Sequence, residues 1–375
     1  INGSDLDYCV ILDKEGKVEK IAVGNKSFYV MLNNVEDINS LKKEDIKDGQ
    51  LEDMECNSDA FKVKLNCEFD GELKQGAEYV NGQYTYRYMQ ESNFSITSGY
   101  NRNEYLLAMI GINKLYGIGG ILPWANIDVD GWGVRLTNPY SYEPVTSELC
   151  TTINGKPIVS MSNMFRNSQA QSIDLSSFDT SNVINMFFMF GDSKATTLDL
   201  SSFNTSNVEY MDHMFSRSQA TTIDLSSFNT INVKDMNNMF KNSQVTTLDL
   251  SSFNTINVKD MNYMFGYSKA IEIKGLENFN TSNVTNMSYM FSNSQVTKLD
   301  LNSFDTSNVI DMLFMFASSK ATTLDLSSFN TSSVTNMSYM FSNSQATIGY
   351  ARTQADADKF NSSSNKPSGL IFVVK

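Results

Sequence analysis

Six aspartates recur at near-constant spacing through the second half of the chain: Asp174, Asp199, Asp224, Asp249, Asp300 and Asp325, with Lys274 in the remaining place. Each stands between two aliphatic residues, as in Leu198-Asp199-Leu200. A short strand that buries those aliphatics must turn the acid outward. Carboxylates stacked about 4.8 Å apart repel by about 1 kcal/mol in water, which hydrogen bonds from neighbours such as Thr197 and Ser201 can offset. The row is then either a solvated ladder or a stripe that takes a cation or a basic partner. A second row lies between paired methionines: Phe188, His213, Asn238, Tyr263, Tyr289, Phe314 and Tyr339. Exposed rings in a line offer contact area to a protein or glycan. The alternative is partial burial that stiffens the stack.

Catalysis finds less support. His213 is the sole histidine, and no nucleophile stands beside a base, so the chain reads as no enzyme and with no cofactor. The Gly117, Gly119, Gly120 motif lacks the lysine of a phosphate loop and reads as a tight turn. Asp128 and Asp130 lack the other ligands of a calcium loop, so no metal is expected. All four cysteines, Cys9, Cys56, Cys67 and Cys150, fall in the first 150 residues without CxxC spacing. Two disulfides in an oxidising compartment are the better reading than a zinc site. Cys56 and Cys67 flank the alternating run 60–65, which favours pairing them across a hairpin, with Cys9 and Cys150 closing the segment. All three pairings remain open on sequence alone. A net charge of −13 speaks against nucleic-acid binding, and the longest apolar stretches, such as 117–123, are too short to span a bilayer. The chain opens on Ile1 rather than Met, which reads as an N-terminal segment removed or never included, so whatever targets the protein is out of view.

Both rows depend on a repeat. A Met-x-x-Met-Phe signature ends at Phe165, Phe190, Phe215, Phe240, Phe265, Phe291, Phe316 and Phe341, every 25 residues with one step of 26. Within a unit, Val183, Met186, Met189 and Phe190 have helical spacing, while Leu198 and Leu200 have strand spacing. Asn204, Thr205, Ser206 and Asn207 supply the turn and a cap. No unit can bury these faces alone, so neighbours must stack. The expected fold is an α/β repeat solenoid, right-handed, with one continuous parallel sheet at the Leu-Asp-Leu positions and short helices opposite. Repeated Thr205 and Ser193 equivalents should satisfy backbone groups at the corners. The extra residue near Gly275 should appear as a bulge.

The signature block at 236–240 and the Thr-Thr-Leu-Asp-Leu-Ser-Ser-Phe-Asn-Thr block at 246–255 resemble bacterial surface leucine-rich repeats of the BspA type. The resemblance covers about half of the chain. It implies a secreted or cell-surface protein that adheres to extracellular host or neighbouring-cell proteins or glycans. It does not imply an enzyme. A structural subunit of a pilus-like fibre, in which the solenoid forms a homo-oligomer or filament, is the alternative. The expected organisation is a small β-rich N-terminal module at 1–82, with strands at 8–12, 18–23 and 27–32. An aromatic-rich adaptor at 83–157 follows, holding Trp124 and Trp132, then the solenoid at 158–350 and a cap at 351–375. In the cap, Thr353-Gln-Ala-Asp356 should start a helix and 369–374 should form a final strand.

Overall fold

The computed structural model describes residues 65–89 and 130–375, together with the backbone of three strands before them. The chain divides into two compact units, Ile1–Val63 and Lys64–Lys375. In the first, β1 (Asp7–Leu12), β2 (Val18–Asn25) and β3 (Phe28–Leu32) form an antiparallel sheet in chain order, at the three expected places. Cys56, the Gly117 motif, Trp124 and Asp128 lie outside the described residues, as does the side chain of Cys9.

The second unit begins with β4 (Leu65–Cys67), β5 (Glu78–Asn81), β6 (Tyr84–Met89), β7 (Gly131–Leu136), β8 (Cys150–Ile153) and β9 (Lys156–Ser160). They form one sheet in the order β4-β8-β9-β7-β6-β5. Tyr84, Tyr86 and Tyr88 alternate along β6, so they share a face, and all three are buried, as is Trp132. Burial requires their hydroxyls to find partners. Tyr84 donates to the Thr146 carbonyl, Tyr88 donates to Asp130, and Tyr86 accepts from the Cys150 N–H. The sheet crosses the expected boundary at residue 82, because β5 and β6 are arms of one hairpin. It also decides a disulfide. β4 runs parallel to β8 with Leu65 opposite Cys150, which brings Cys67 to a Cα–Cα distance of 5.7 Å from Cys150 and bonds the two. The hairpin pairing of Cys56 with Cys67 is thereby replaced.

From Ile158 the chain winds into a repeat solenoid, as the spacing predicts. Its core is a set of columns. Val183, Met186, Met189, Phe190, Leu198, Leu200 and Phe203 are buried, and so are nearly all of their equivalents down the stack. Each buried Leu or Phe contributes roughly 1.5–3 kcal/mol. The corner ladders behave as expected. Thr205 Oγ1 donates to the Asn229 carbonyl at 3.0 Å and accepts from the Asn229 N–H at 2.8 Å, so one hydroxyl stitches two coils.

Two expectations are corrected. The Met-x-x-Met-Phe segments are not helices. Their N–H groups alternate between closing four-residue turns and reaching the next coil: Met189 bonds to the Met186 carbonyl, while Phe188 and Phe190 bond to those of Asp212 and Met214. An i→i−4 pattern cannot coexist with those bonds. Nor is the Leu-Asp-Leu side one continuous sheet. β10 (Thr197–Leu198) pairs only with β11 (Thr222–Ile223), and β12 (Thr247–Asp249) only with β13 (Glu272–Lys274). The continuous ladder runs instead on the methionine side, as single parallel bridges from Ser160 to Asn336. The extra residue is absorbed beside β13, where Gly275 takes φ 88° and a 3₁₀ turn, Leu276–Asn278, follows. A side chain there would sit 2.5 Å from the Leu250 backbone, so glycine is required both by conformation and by contact.

The far end closes with β14 (Thr323–Leu326), β15 (Ile348–Ala351), α1 (Gln354–Asn361) and β16 (Ile371–Val374). The strands pair in parallel, in that order. Thr353 caps α1 by accepting from the Asp356 N–H, as its sequence predicts. The Asn361 amide then hydrogen-bonds both backbone groups of Phe372, accepting at 3.0 Å and donating at 2.9 Å.

Candidate binding face

The acidic row lies where the strand pattern puts it. Asp174, Asp199, Asp224, Asp249 and Asp300 are exposed, and Asp325 is half-buried. Each carboxylate first serves its own turn. Asp199 accepts from the Ser201 hydroxyl at 2.7 Å and from its N–H at 3.0 Å, and Asp174 repeats this with Ser176. Asp224, Asp249, Asp300 and Asp325 likewise accept from the N–H two residues on. The Ser201 hydroxyl and N–H hold Asp199 below the usual carboxylate range, and Ser251 does the same for Asp249. Lys274 stands opposite Asp249 across β12 and β13, and Lys375 pairs with Asp325. The acids are thus turn-forming groups.

The second row is built by backbone conformation. Phe188, His213, Asn238, Tyr263, Tyr289, Phe314 and Tyr339 all take positive φ, between 52° and 59°. Non-glycine residues seldom adopt this region, so each unit repeats a costly choice. The outcome is a ladder of stacked rings: Phe188 on His213 at 4.3 Å, Tyr263 on Tyr289 at 4.2 Å, Tyr289 on Phe314 at 5.0 Å and Phe314 on Tyr339 at 4.9 Å. Burial is graded, from Phe188, buried, to Tyr339, exposed. Ring spacing widens across the solenoid. The core column gives 5.7 Å for Phe190 on Phe215 and 5.9 Å for Phe240 on Phe265. Beyond the Leu-Asp-Leu positions it reaches 6.2 Å for Phe228 on Phe253 and 6.3 Å for Phe304 on Phe329. The coils therefore fan apart from the ladder towards the acids. Parallel strands need about 4.8 Å, which is why bridges persist on the ladder side and sheets break opposite.

A family described as Mycoplasma protein of unknown function, DUF285, matches residues 143–253 and again 242–353. The chain belongs to this family. Each DUF285 match spans four Met-x-x-Met-Phe signatures, so the solenoid is two such stretches in tandem. No curated protein and no solved structure matches the chain.

The two DUF285 stretches differ on the ladder face. The ladder is unbroken from Tyr263 to Tyr339 in the second and interrupted at Asn238 in the first. Around that break sit groups that the sequence reading did not single out. Asp212 and Asp235 are buried. Asp212 Oδ2 lies 3.5 Å from His213 Nδ1, and neither atom makes a hydrogen bond. Asn238 Oδ1 and Asn185 Nδ2 are likewise buried without partners. Burial pushes the Asp212 carboxyl up to about 8 and pushes His213 well below its usual value, with the charges of Lys241, Arg166 and Arg217 adding to the latter. Arg166 stacks over Phe188 at 4.4 Å and Lys241 over Tyr263 at 3.7 Å. Reading each position down the 25-residue register would have exposed them: the Asp212 column otherwise holds Ser, Phe, Asn and Leu. Among the described residues, no three His, Cys, Asp or Glu side chains gather to hold a metal ion, and no helix is long and apolar enough to cross a membrane.

Proposed function

We propose that this DUF285 chain is an extracellular, cell-surface adhesion protein of the BspA type, presenting its ladder face to host or neighbouring-cell proteins or glycans. One observation carries the reading. The core columns hardly change from coil to coil, whereas the positive-φ positions hold Phe, His, Asn and Tyr in turn at an identical backbone conformation. A stack that conserves its own interior and varies one closely spaced face has the anatomy of a repeat binding protein. The Cys67–Cys150 disulfide suits an oxidising location. The acidic row is the weaker candidate, since its carboxylates already serve turns on the side where the coils spread.

The test is saturable binding of labelled full-length protein to intact cells and matrix at two salt concentrations. Changing Tyr263 and Tyr289 to Ser should weaken it, and changing Asp199, Asp224 and Asp249 to Asn should not. The reverse result would move the site to the acidic row, and no binding to any surface would refute the adhesive reading.

A structural subunit of a fibre is the second reading, and one feature favours it. The outward side chains of the last two strands turn apolar, with Ile348, Ile371 and Val373 about half exposed where earlier coils carry Thr and Asp. Concentration-dependent filaments abolished by Ile371→Thr would support this reading. A monomer at all concentrations would exclude it.

A further inference from the structure

The face next to the aromatic ladder carries a groove of about 430 Å³ across the first four coils. One wall is a second column at positive φ: Asn167, Asp192, Arg217 and Asn242. The other is Gln169, Lys194, Gln219 and Gln244. No lining side chain is apolar. Each glutamine turns its amide nitrogen onto the backbone carbonyl two residues earlier, at 2.9 Å for Gln169 and 3.4 Å for Gln219 and Gln244. Their side-chain oxygens are left as acceptors on either side of Lys194.

Charge is the second observation. Lys194 and Arg217 line the groove against one carboxylate, Asp192, which grips Arg217 at 2.7 and 2.8 Å. That leaves a net charge of +1 in the lining on a chain of net −13. Arg166 and Lys241 stand one residue before Asn167 and Asn242, over the Phe188 and Tyr263 rings. Lys194 is exposed and has no side-chain partner among the described residues. Like charges held together repel, and an anion relieves the repulsion. A peptide would need apolar anchors or a free strand edge, and this groove offers neither. Amides beside cations instead match a ligand rich in hydroxyls that also bears carboxylates or sulfates.

We propose that this groove binds an acidic polysaccharide, with Lys194 and Arg217 facing its anionic groups and the amides of Gln169, Gln219, Gln244 and Asn242 holding its hydroxyls. The inference rests on the adhesive reading and adds to it one ligand class at a place beside the ladder face.

The repeat supplies its own benign substitutions. Glutamine occupies the Lys194 column, asparagine the Arg217 column and serine the Lys241 column in other coils. The variant Lys194→Gln/Arg217→Asn/Lys241→Ser should therefore fold, which its thermal melt checks. Full-length protein is titrated with hyaluronan, polygalacturonate and chondroitin sulfate, with dextran as the neutral arm and poly-glutamate as the acidic peptide arm. The wild type should bind at least one acidic polysaccharide at least tenfold more tightly than dextran or poly-glutamate, and lose that binding as salt rises. The folded variant should bind it at least tenfold more weakly. Equal affinity in the variant, equal affinity for poly-glutamate, or no binding to any of the three would overturn the proposal. If adherence to cells persists while all three polysaccharides fail, this inference falls and the adhesive reading stands. Should the protein bind neither cells nor saccharides, both fall.

Discussion

The two DUF285 stretches share one interior and carry two different faces. In the first, the ladder face holds His213, Asp212, Asn238 and a set of cations; in the second, it is a run of four stacked rings. Both keep the same columns of methionine and phenylalanine beneath. The difference teaches that coil-to-coil packing demands little of the positive-φ positions beyond their backbone conformation. Selection can therefore write on them without disturbing the stack.

The largest expected effect tests the shared interior. Phe240→Ala in the first stretch and Phe291→Ala in the second each empty a site with 0% exposure inside the ring column. Each should cost about 3–5 kcal/mol. Denaturant melts should give matching losses, and a gap above about 1 kcal/mol would break the equivalence of the two stretches.

Gly275→Ala tests a feature unique to the second stretch. The left-handed backbone alone costs about 1–3 kcal/mol for a residue with a side chain. Contact with Leu250 and Ser251 adds to that. Alanine at Gly191, which has no positive φ and whose nearest neighbours are side-chain atoms of the Phe188 ring rather than backbone, should be milder. Equal losses at the two glycines would show that the inserted residue imposes no special backbone.

Asp212→Asn sharpens the comparison through pH. In the fold, the carboxyl of Asp212 is pushed up to about 8 from an ordinary 3.8. It is therefore neutral in the native state where the unfolded chain would ionise it. Stability is fully retained below pH 4 and falls as pH rises towards 8, by up to about 1.4 kcal/mol per unit. Asparagine removes that loss, and Asn237 and Asn262 show that it fits the column. The variant should melt higher than wild type at pH 7–8 and equally at pH 4. His213, buried with its pKa lowered, acts in the opposite sense, losing stability as pH falls through its ordinary value near 6.5. An Asp212→Asn melt that shifts equally at both pH values would rule out the titration.

The smallest effect belongs to the aromatic ladder. Tyr339→Ser removes an exposed terminal ring stacked on one neighbour, so the loss should be about 0.5–1.5 kcal/mol. A loss as large as that at Phe291 would mean that the ladder is core rather than face.

The stacking, the buried columns, the corner threonines and the cap at Thr353 were legible because each follows from side-chain spacing alone. The non-helical path of Met186–Phe190 was not. A Met-x-x-Met-Phe pattern has the same apolar spacing whether its N–H groups close turns within the segment or alternate with the next coil. Only the coil-to-coil register decides, and that register is a long-range property. The same holds for the disulfide: the run between Cys56 and Cys67 suggested a local hairpin, whereas Cys67 meets Cys150 through strand pairing 83 residues away. The acidic and aromatic rows were visible as rows, but their local conformations were not. The first became turn caps, and the second required a left-handed backbone.

One consequence follows from Asn361. Its side-chain amide occupies, against Phe372, the place that a peptide group of one more coil would take. The array therefore ends in a counterfeit of its own continuation. A unit appended after β16 would have to displace that amide, so insertion upstream of α1 lengthens the stack with the end left intact. The span between the opening sheet and this stopper then works as a ruler. Relatives that differ in reach should differ by whole 25-residue increments inside it, each adding one more step to the face while both ends stay the same.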